Sequence, residues 1–234
     1  MGSNLIECLR KDIETNQIGE GDLLILAVRS GRYQRQIVEI PAFARDWDPQ
    51  FSVLYLSESY PSEPSPNEPR RYLLDTEAMT LEDNGPDGYI NFSGLRLLQP
   101  VLGYAHRRFS RTEQTTDIDS LKKAVEANRV KAGDILVIQI PLDRRNKSKV
   151  GIPMFVQDWD SQSSTLSLSD SYLPSGLAEI RRRYSLDLGS GDTVDKMPST
   201  RPLRDNGPDI SPNPNGFKIV QKVVSFVPIH VERQ

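Results

Sequence analysis

Gly21-Asp22-Leu23-Leu24-Ile25-Leu26 and Gly133-Asp134-Ile135-Leu136-Val137-Ile138 are one turn and one strand written twice in a single chain. From these two starts the sequence runs in parallel without a gap over 21–75 and 133–187. The offset is constant at 112, and roughly 23 of 55 positions are identical. The matches include Ile40-Pro41 with Ile152-Pro153, Asp46-Trp47-Asp48 with Asp158-Trp159-Asp160, Ser59-Tyr60 with Ser171-Tyr172, and Arg70-Arg71-Tyr72 with Arg182-Arg183-Tyr184. Ten extra residues then enter the second copy between Asp187 and Asp205. Register resumes at an offset of 122, through Asp83-Asn84-Gly85-Pro86-Asp87 and Asp205-Asn206-Gly207-Pro208-Asp209. A repeat this long exceeds the roughly 20 to 50 residues of a solenoid unit and has the size of a small domain.

Two domains fit the 234 residues, each large enough to bury a core. The expected division is 1–106 for the first repeat, 107–116 for a polar linker, and 117–234 for the second repeat with its ten-residue insertion. Within each copy the pattern predicts one helix followed by about five or six short strands. The helical faces are Leu5, Ile6, Leu9 and Ile13 in the first copy and Leu121, Ala124 and Val125 in the second. Asp117 or Asp119 is placed to cap the second helix. Near-continuous apolar runs at 23–28 and 135–140 predict strands buried on both faces. The next strands are expected at 34–40 and 149–155, and alternating runs follow at 51–56 and 165–168. A last strand is expected near 95–104 in the first copy and 217–227 in the second. The fold class is therefore mainly β, as two tandem homologous antiparallel β-barrels or β-sandwiches, each with one N-terminal helix.

Composition narrows the function. A net charge of −3 and a pI near 5.5 argue against binding polyanions through overall charge. One cysteine, Cys8, excludes a disulfide framework and a cysteine-based zinc site, and suits a reducing compartment. The N-terminus carries no apolar signal core and no apolar run reaches the length of a membrane span, so the expectation is a soluble cytoplasmic protein with no membrane partner. No Gly-rich phosphate loop, nucleophile elbow or His-Glu-x-x-His pattern occurs, and His106 and His230 do not align with each other. No metal site and no cofactor are expected.

The polar residues that both copies retain are the candidate ligand set: Asp46, Trp47, Asp48, Arg71 and Tyr72, with Asp158, Trp159, Asp160, Arg183 and Tyr184. Carboxylates beside an aromatic ring suit a hydroxyl-rich or cationic ligand, and a guanidinium suits a carboxylate or phosphate. Against this stands a structural reading, in which the aspartates cap turns, the tryptophans anchor in the core and the arginines pair internally. Three functions follow. The favoured one is a non-catalytic binding or assembly module for a protein or small polar ligand, retained in two copies for avidity. The second is a nucleic-acid binder using Arg107, Arg108, Arg111, Arg144, Arg145, Lys147 and Lys149 on basic loops. The third is a metal-assisted hydrolase using Asp46, Asp48 and Asp87 or their counterparts in the second copy.

Overall fold

The computed structural model describes residues 2–30, 36–57, 60–61, 72–83, 97–108, 116–141, 149–170, 172, 183–189, 201–205 and 220–230. Its contacts divide the chain into two compact units, 1–60 with 64–111, and 61–63 with 112–234.

The first unit opens with helix α1 (Gly2–Glu14). Strands β1 (Leu23–Ser30), β2 (Gln36–Asp48) and β3 (Val53–Ser57) follow, then the two-residue β4 (Tyr60–Pro61), whose second residue is counted with the other unit. β5 (Tyr72–Asp75), β6 (Thr80–Asp83) and β7 (Leu97–Arg107) complete it. β1-β2-β3-β5-β6-β7 form a closed antiparallel barrel. This decides between the two β architectures for the first unit, and closure leaves none of these six strands with an unpaired edge. Alternation puts Leu24, Leu26 and Val28 inward, where they oppose Ala42, Ile40 and Val38. Leu54, Leu56, Leu74 and Leu81 complete that core, and Leu9 and Ile13 add the buried stripe of α1.

The second unit contains β8 (Thr116–Asp117), helix α2 (Asp119–Glu126), β9 (Ile135–Pro141) and β10 (Lys149–Asp160). It continues with β11 (Thr165–Ser169), β12 (Arg183–Asp187), β13 (Arg201–Asp205), β14 (Val220–Val223) and β15 (Ser225–Ile229). The strand order is β14-β13-β12-β11-β10-β9-β15-β8. Val224 alone separates β14 from β15, and its N–H donates to the Gln139 carbonyl at 3.0 Å. Its counterpart at the 122 offset is Leu102, where β7 changes register between Ala27 and Val28. β14 and β15 are thus one run of chain that pairs first with β13 and then with β9. β7 in the same way pairs first with β6 and then with β1. Ile118, Leu121 and Val125 of α2 join Leu136, Ile138, Leu166, Leu168, Leu203 and Phe226 in one core cluster.

Several elements extend past their expected ends. β2 and β10 run on through Ile40-Pro41 and Ile152-Pro153 to Asp48 and Asp160. A central strand tolerates proline here because of the direction of its nitrogen. Ala44 exchanges both backbone bonds with the Gly21-Asp22 turn, so every second residue back along β2 points its N–H toward β1 and Pro41 points away. Among the described residues β3 starts pairing with β2 at Phe43, so none of them needs a donor from Pro41 on that side. β7 runs to Arg107, because Leu23 at the start of β1 still offers a ladder partner, and it takes in the first residue of the expected linker. The cap expected on α2 takes another form: Ile118 sits at the N-cap position without a side-chain bond, and Asp117 Oδ1 accepts the Asp119 N–H at 3.0 Å.

The doubly buried strand is present as expected in the second unit, where Ile135, Leu136, Val137 and Ile138 are all fully buried. Among the described residues, no helix is long and apolar enough to cross a membrane.

Candidate functional site

The Asp-Trp-Asp segments lie at the ends of β2 and β10, each on a β-bulge. Ala44 opposes Leu56 and Trp47 opposes Leu54, so Arg45 and Asp46 together face Tyr55. In the second unit Gln157 and Asp158 face Ser167, and Trp159 opposes Leu166. The bulge re-aims the strand so that the tryptophan shares the inward face of a buried leucine. Trp159 packs on the core cluster and is half-buried, as Trp47 is. The carboxylates take different work. Asp48 Oδ1 accepts the N–H groups of Gln50 (3.0 Å) and Phe51 (3.3 Å). Asp160 Oδ1 accepts those of Gln162 (2.9 Å) and Ser163 (3.4 Å), and its Oδ2 accepts the Ser163 hydroxyl at 2.7 Å. These bonds, the hydroxyl first, hold the Asp160 carboxyl below the usual carboxylate range. Asp158 Oδ1 accepts the Trp159 N–H at 2.8 Å. Asp46 and Asp158 are exposed.

Tyr72 opposes Leu56 on one side and Asp83 on the other, and is 7% exposed. Tyr184 holds the same place between Leu168 and Asp205 and packs on the second core. Trp47 and Tyr72 therefore share the inward face two positions apart along β3. Both side chains are thus given to the barrel interior, while Asp48 is occupied at the turn. Arg71, Asp87 and Asp209 lie outside the described residues, and Arg183 is described only as the β12 backbone opposite Ser169. Of the basic set, Arg107 and Arg108 are exposed at the end of β7, with Arg108 Nη2 donating to the Asn16 carbonyl at 3.2 Å. Lys149 opens β10 opposite Pro141. Arg111, Arg144, Arg145 and Lys147 are outside the described residues. Among the described residues, no three His, Cys, Asp or Glu side chains are grouped to hold a metal ion.

Other retained polar residues build the helix-to-strand turn. Asp22 and Asp134 are 4% and 1% exposed. Asp22 Oδ2 accepts the Gly19 N–H at 2.9 Å, and Asp134 Oδ2 accepts the Lys131 N–H at 3.0 Å. Gly21 and Gly133 have φ of 88° and 87°, a region open to glycine, which lets the chain reverse and bond Ala44 and Val156.

The polar clusters that matched-residue reasoning missed are those that differ between the copies. Tyr104 donates its hydroxyl proton to Asp12 Oδ2 at 2.7 Å, and His106 Nε2 stands 3.9 Å from the same oxygen. Burial, then the hydrogen bond to Asp12 and its negative charge, and lastly Cys8, push the Tyr104 phenol above its ordinary range. Continuing the two offsets into α1 and β7 sets Asp12, Tyr104 and His106 against Ala124, Phe226 and Pro228. That alignment was the signal available in the sequence. In the second unit His230 Nδ1 lies 3.1 Å from Asp134 Oδ2, and Arg201 Nη2 donates to Asp119 Oδ1 at 2.6 Å. Arg201 Nε and Nη1 are buried without a hydrogen-bond partner. Polar contacts also tie each helix to the turn after β2 or β10. Arg10 Nη2 donates to Ser52 Oγ at 3.1 Å, and Lys122 Nζ, its counterpart at the 112 offset, donates to Ser164 Oγ at 3.0 Å.

Comparison of the chain with protein-family models, curated proteins and solved structures gives no match.

Proposed function

We propose that the chain is a tandem pair of homologous β-barrel domains, each closed by its own helix, acting in the cytoplasm as a non-catalytic binding or assembly module. Its partner is a protein or a small polar ligand. The observation that carries this reading is the division of labour between shared and unshared residues. The shared set maintains ladders, bulges and turns at fixed offsets. The residues free to diverge lie where helix meets barrel, where Asp12, Tyr104 and His106 replace Ala124, Phe226 and Pro228. Duplicated scaffolds with divergent surfaces suit two-point recognition, in which the second contact gains from the effective concentration set by the first.

The test pairs binding with turnover. Intact protein is screened by thermal shift and calorimetry against sugars, nucleotides, amino acids and short peptides, and sedimented over a range of concentrations. Phosphoester, peptide and glycoside hydrolysis are followed in parallel. Saturable binding or concentration-dependent assembly without turnover is expected. Divalent-cation-dependent turnover that disappears in Asp46→Asn or Asp158→Asn overturns the reading in favour of a hydrolase. A steep fall of oligonucleotide affinity with salt overturns it in favour of nucleic-acid binding through the basic segments.

A further inference from the structure

The duplication supplies an internal control for how a helix is seated on its barrel, and the two units solve that problem with different chemistry. In the second unit the positions corresponding to Asp12, Tyr104 and His106 are apolar. Phe226, 2% exposed, lies in one core cluster with Leu121 and Val125 of α2, and Ala124 packs against that cluster. In the first unit the equivalent positions are a carboxylate on α1 and a phenol and an imidazole on β7. Tyr104 and His106 oppose Leu26 and Leu24 across the β1–β7 ladder, two positions apart, so both side chains leave the same face of the sheet. Their rings stack with centroids 6.5 Å apart and planes inclined by 25°. Asp12 and His106 have equally accessible side chains, 29% each, so the pair is partly shielded from solvent without being sealed from protons.

We infer that Asp12, Tyr104 and His106 form a pH-sensitive clasp that seats α1 on the first barrel more firmly when His106 is protonated. Asp12 Oδ2 is the single acceptor on which the clasp turns. It accepts a hydrogen bond from the Tyr104 hydroxyl at 2.7 Å, and that bond does not depend on the charge of His106. The imidazole adds a second, conditional attraction. Protonated, it places a positive charge 3.9 Å from Oδ2; neutral, it leaves only the tyrosine bond.

Among the described residues, Cys8 from α1, one turn before Asp12, acts on the Tyr104 phenol, and on β7 the cations that follow His106 are Arg107 and Arg108, the latter with its guanidinium turned to the Asn16 carbonyl. From β1 the facing residue is Leu24, which is apolar and fully buried. The direction follows from charge alone. Lowering the pH through the range where an imidazole ordinarily gains its proton strengthens the seat, and raising it loosens the seat. Loosening α1 uncovers Leu9 and Ile13, which are 0% and 6% exposed when it is docked. Helix α2 has no equivalent group on its own length, but the turn after it carries Asp134 with His230 Nδ1 at 3.1 Å, so it serves as a reference only once His230 is replaced.

The experiment is hydrogen–deuterium exchange of the full chain carrying His230→Gln at pH 6 and pH 8, with rates corrected for intrinsic exchange and α2 peptides as reference. The protection of α1 relative to α2 is expected to be about two- to five-fold higher at pH 6, the range carried by a partly exposed ion pair. It should shrink toward unity in high salt. His106→Gln should abolish the pH dependence while keeping α1 seated through Tyr104. Asp12→Ala with Tyr104→Phe, which transplants the seat of the second unit, should abolish it as well. A ratio that does not change with pH in the His230→Gln protein, or a pH dependence that survives adding His106→Gln to it, overturns the inference.

Discussion

Removing the Asp134 carboxylate tests whether the aspartates retained in both copies are scaffold. Its Oδ2 accepts the Lys131 N–H at 3.0 Å, and the residue is 1% exposed. Asp134→Ala leaves that N–H without its acceptor and removes a partner of His230, at a cost of about 1–2 kcal/mol. The two tryptophans fall one to each unit, Trp47 and Trp159, so fluorescence resolves the units. In a Trp47→Phe background the remaining signal follows the second unit alone. With a urea slope of about 2 kcal/mol per molar, the midpoint should fall by roughly 0.5–1 M. Asp22→Ala, read through Trp47 in a Trp159→Phe background, should behave alike, because its Oδ2 accepts the Gly19 N–H at 2.9 Å. Midpoints that stay put in both variants would refute the scaffold assignment and return these aspartates to the list of ligand-binding groups.

Three further outcomes are expected. The Asp160 carboxyl is held below its ordinary range, so what it contributes is present above the unfolded-state pKa and lost as pH falls through the folded one; the Ser163 amide shift in NMR should follow that titration and vanish in Asp160→Asn. Trp159→Ala should destabilise the second unit by about 2–4 kcal/mol, since a half-buried ring leaves a smaller void than a fully buried one; circular dichroism on urea unfolding measures it. Asn128 has φ of 56°, so Asn128→Ala should cost about 1 kcal/mol while Asn128→Gly is neutral or slightly stabilising, as thermal melting will show.

Much of the fold was legible because the chain carries its own comparison. The apolar faces of both helices were readable from spacing, and Leu9, Ile13, Leu121 and Val125 are buried as that spacing implies. Strand ends were less legible. Ile-Pro reads as a stop until one knows that the Pro41 nitrogen faces a side where β3 has not yet begun to pair, a fact of register that lies outside any local window. The bulge was hidden for a similar reason. On a regular strand Asp46 and Asp48 flank Trp47 symmetrically, but the extra residue separates them, leaving Asp48 to the turn and Asp46 on the bulge beside Arg45. The Asp12 cluster escaped because retention was the criterion and this cluster is an exchange. Each of its residues is unremarkable alone, and only the alignment of α1 with α2 and of β7 with β14–β15 sets it against an apolar seat.

In the first unit the last strand closes the barrel that the first strand begins, since β1 pairs with β7, and in the second unit β9 pairs likewise with β15. During synthesis β1 must therefore wait about 75 residues for β7, and β15, which takes the corresponding place beside β9, follows about 125 residues later. Contacts that close such long loops are slow to form. β7 and β15 are accordingly rivals for β1, and order of emergence favours the right one. Refolding the whole chain from denaturant removes that advantage. Strand-exchanged species should accumulate there at the expense of the native form, and a chain started from its first unit alone should be free of them.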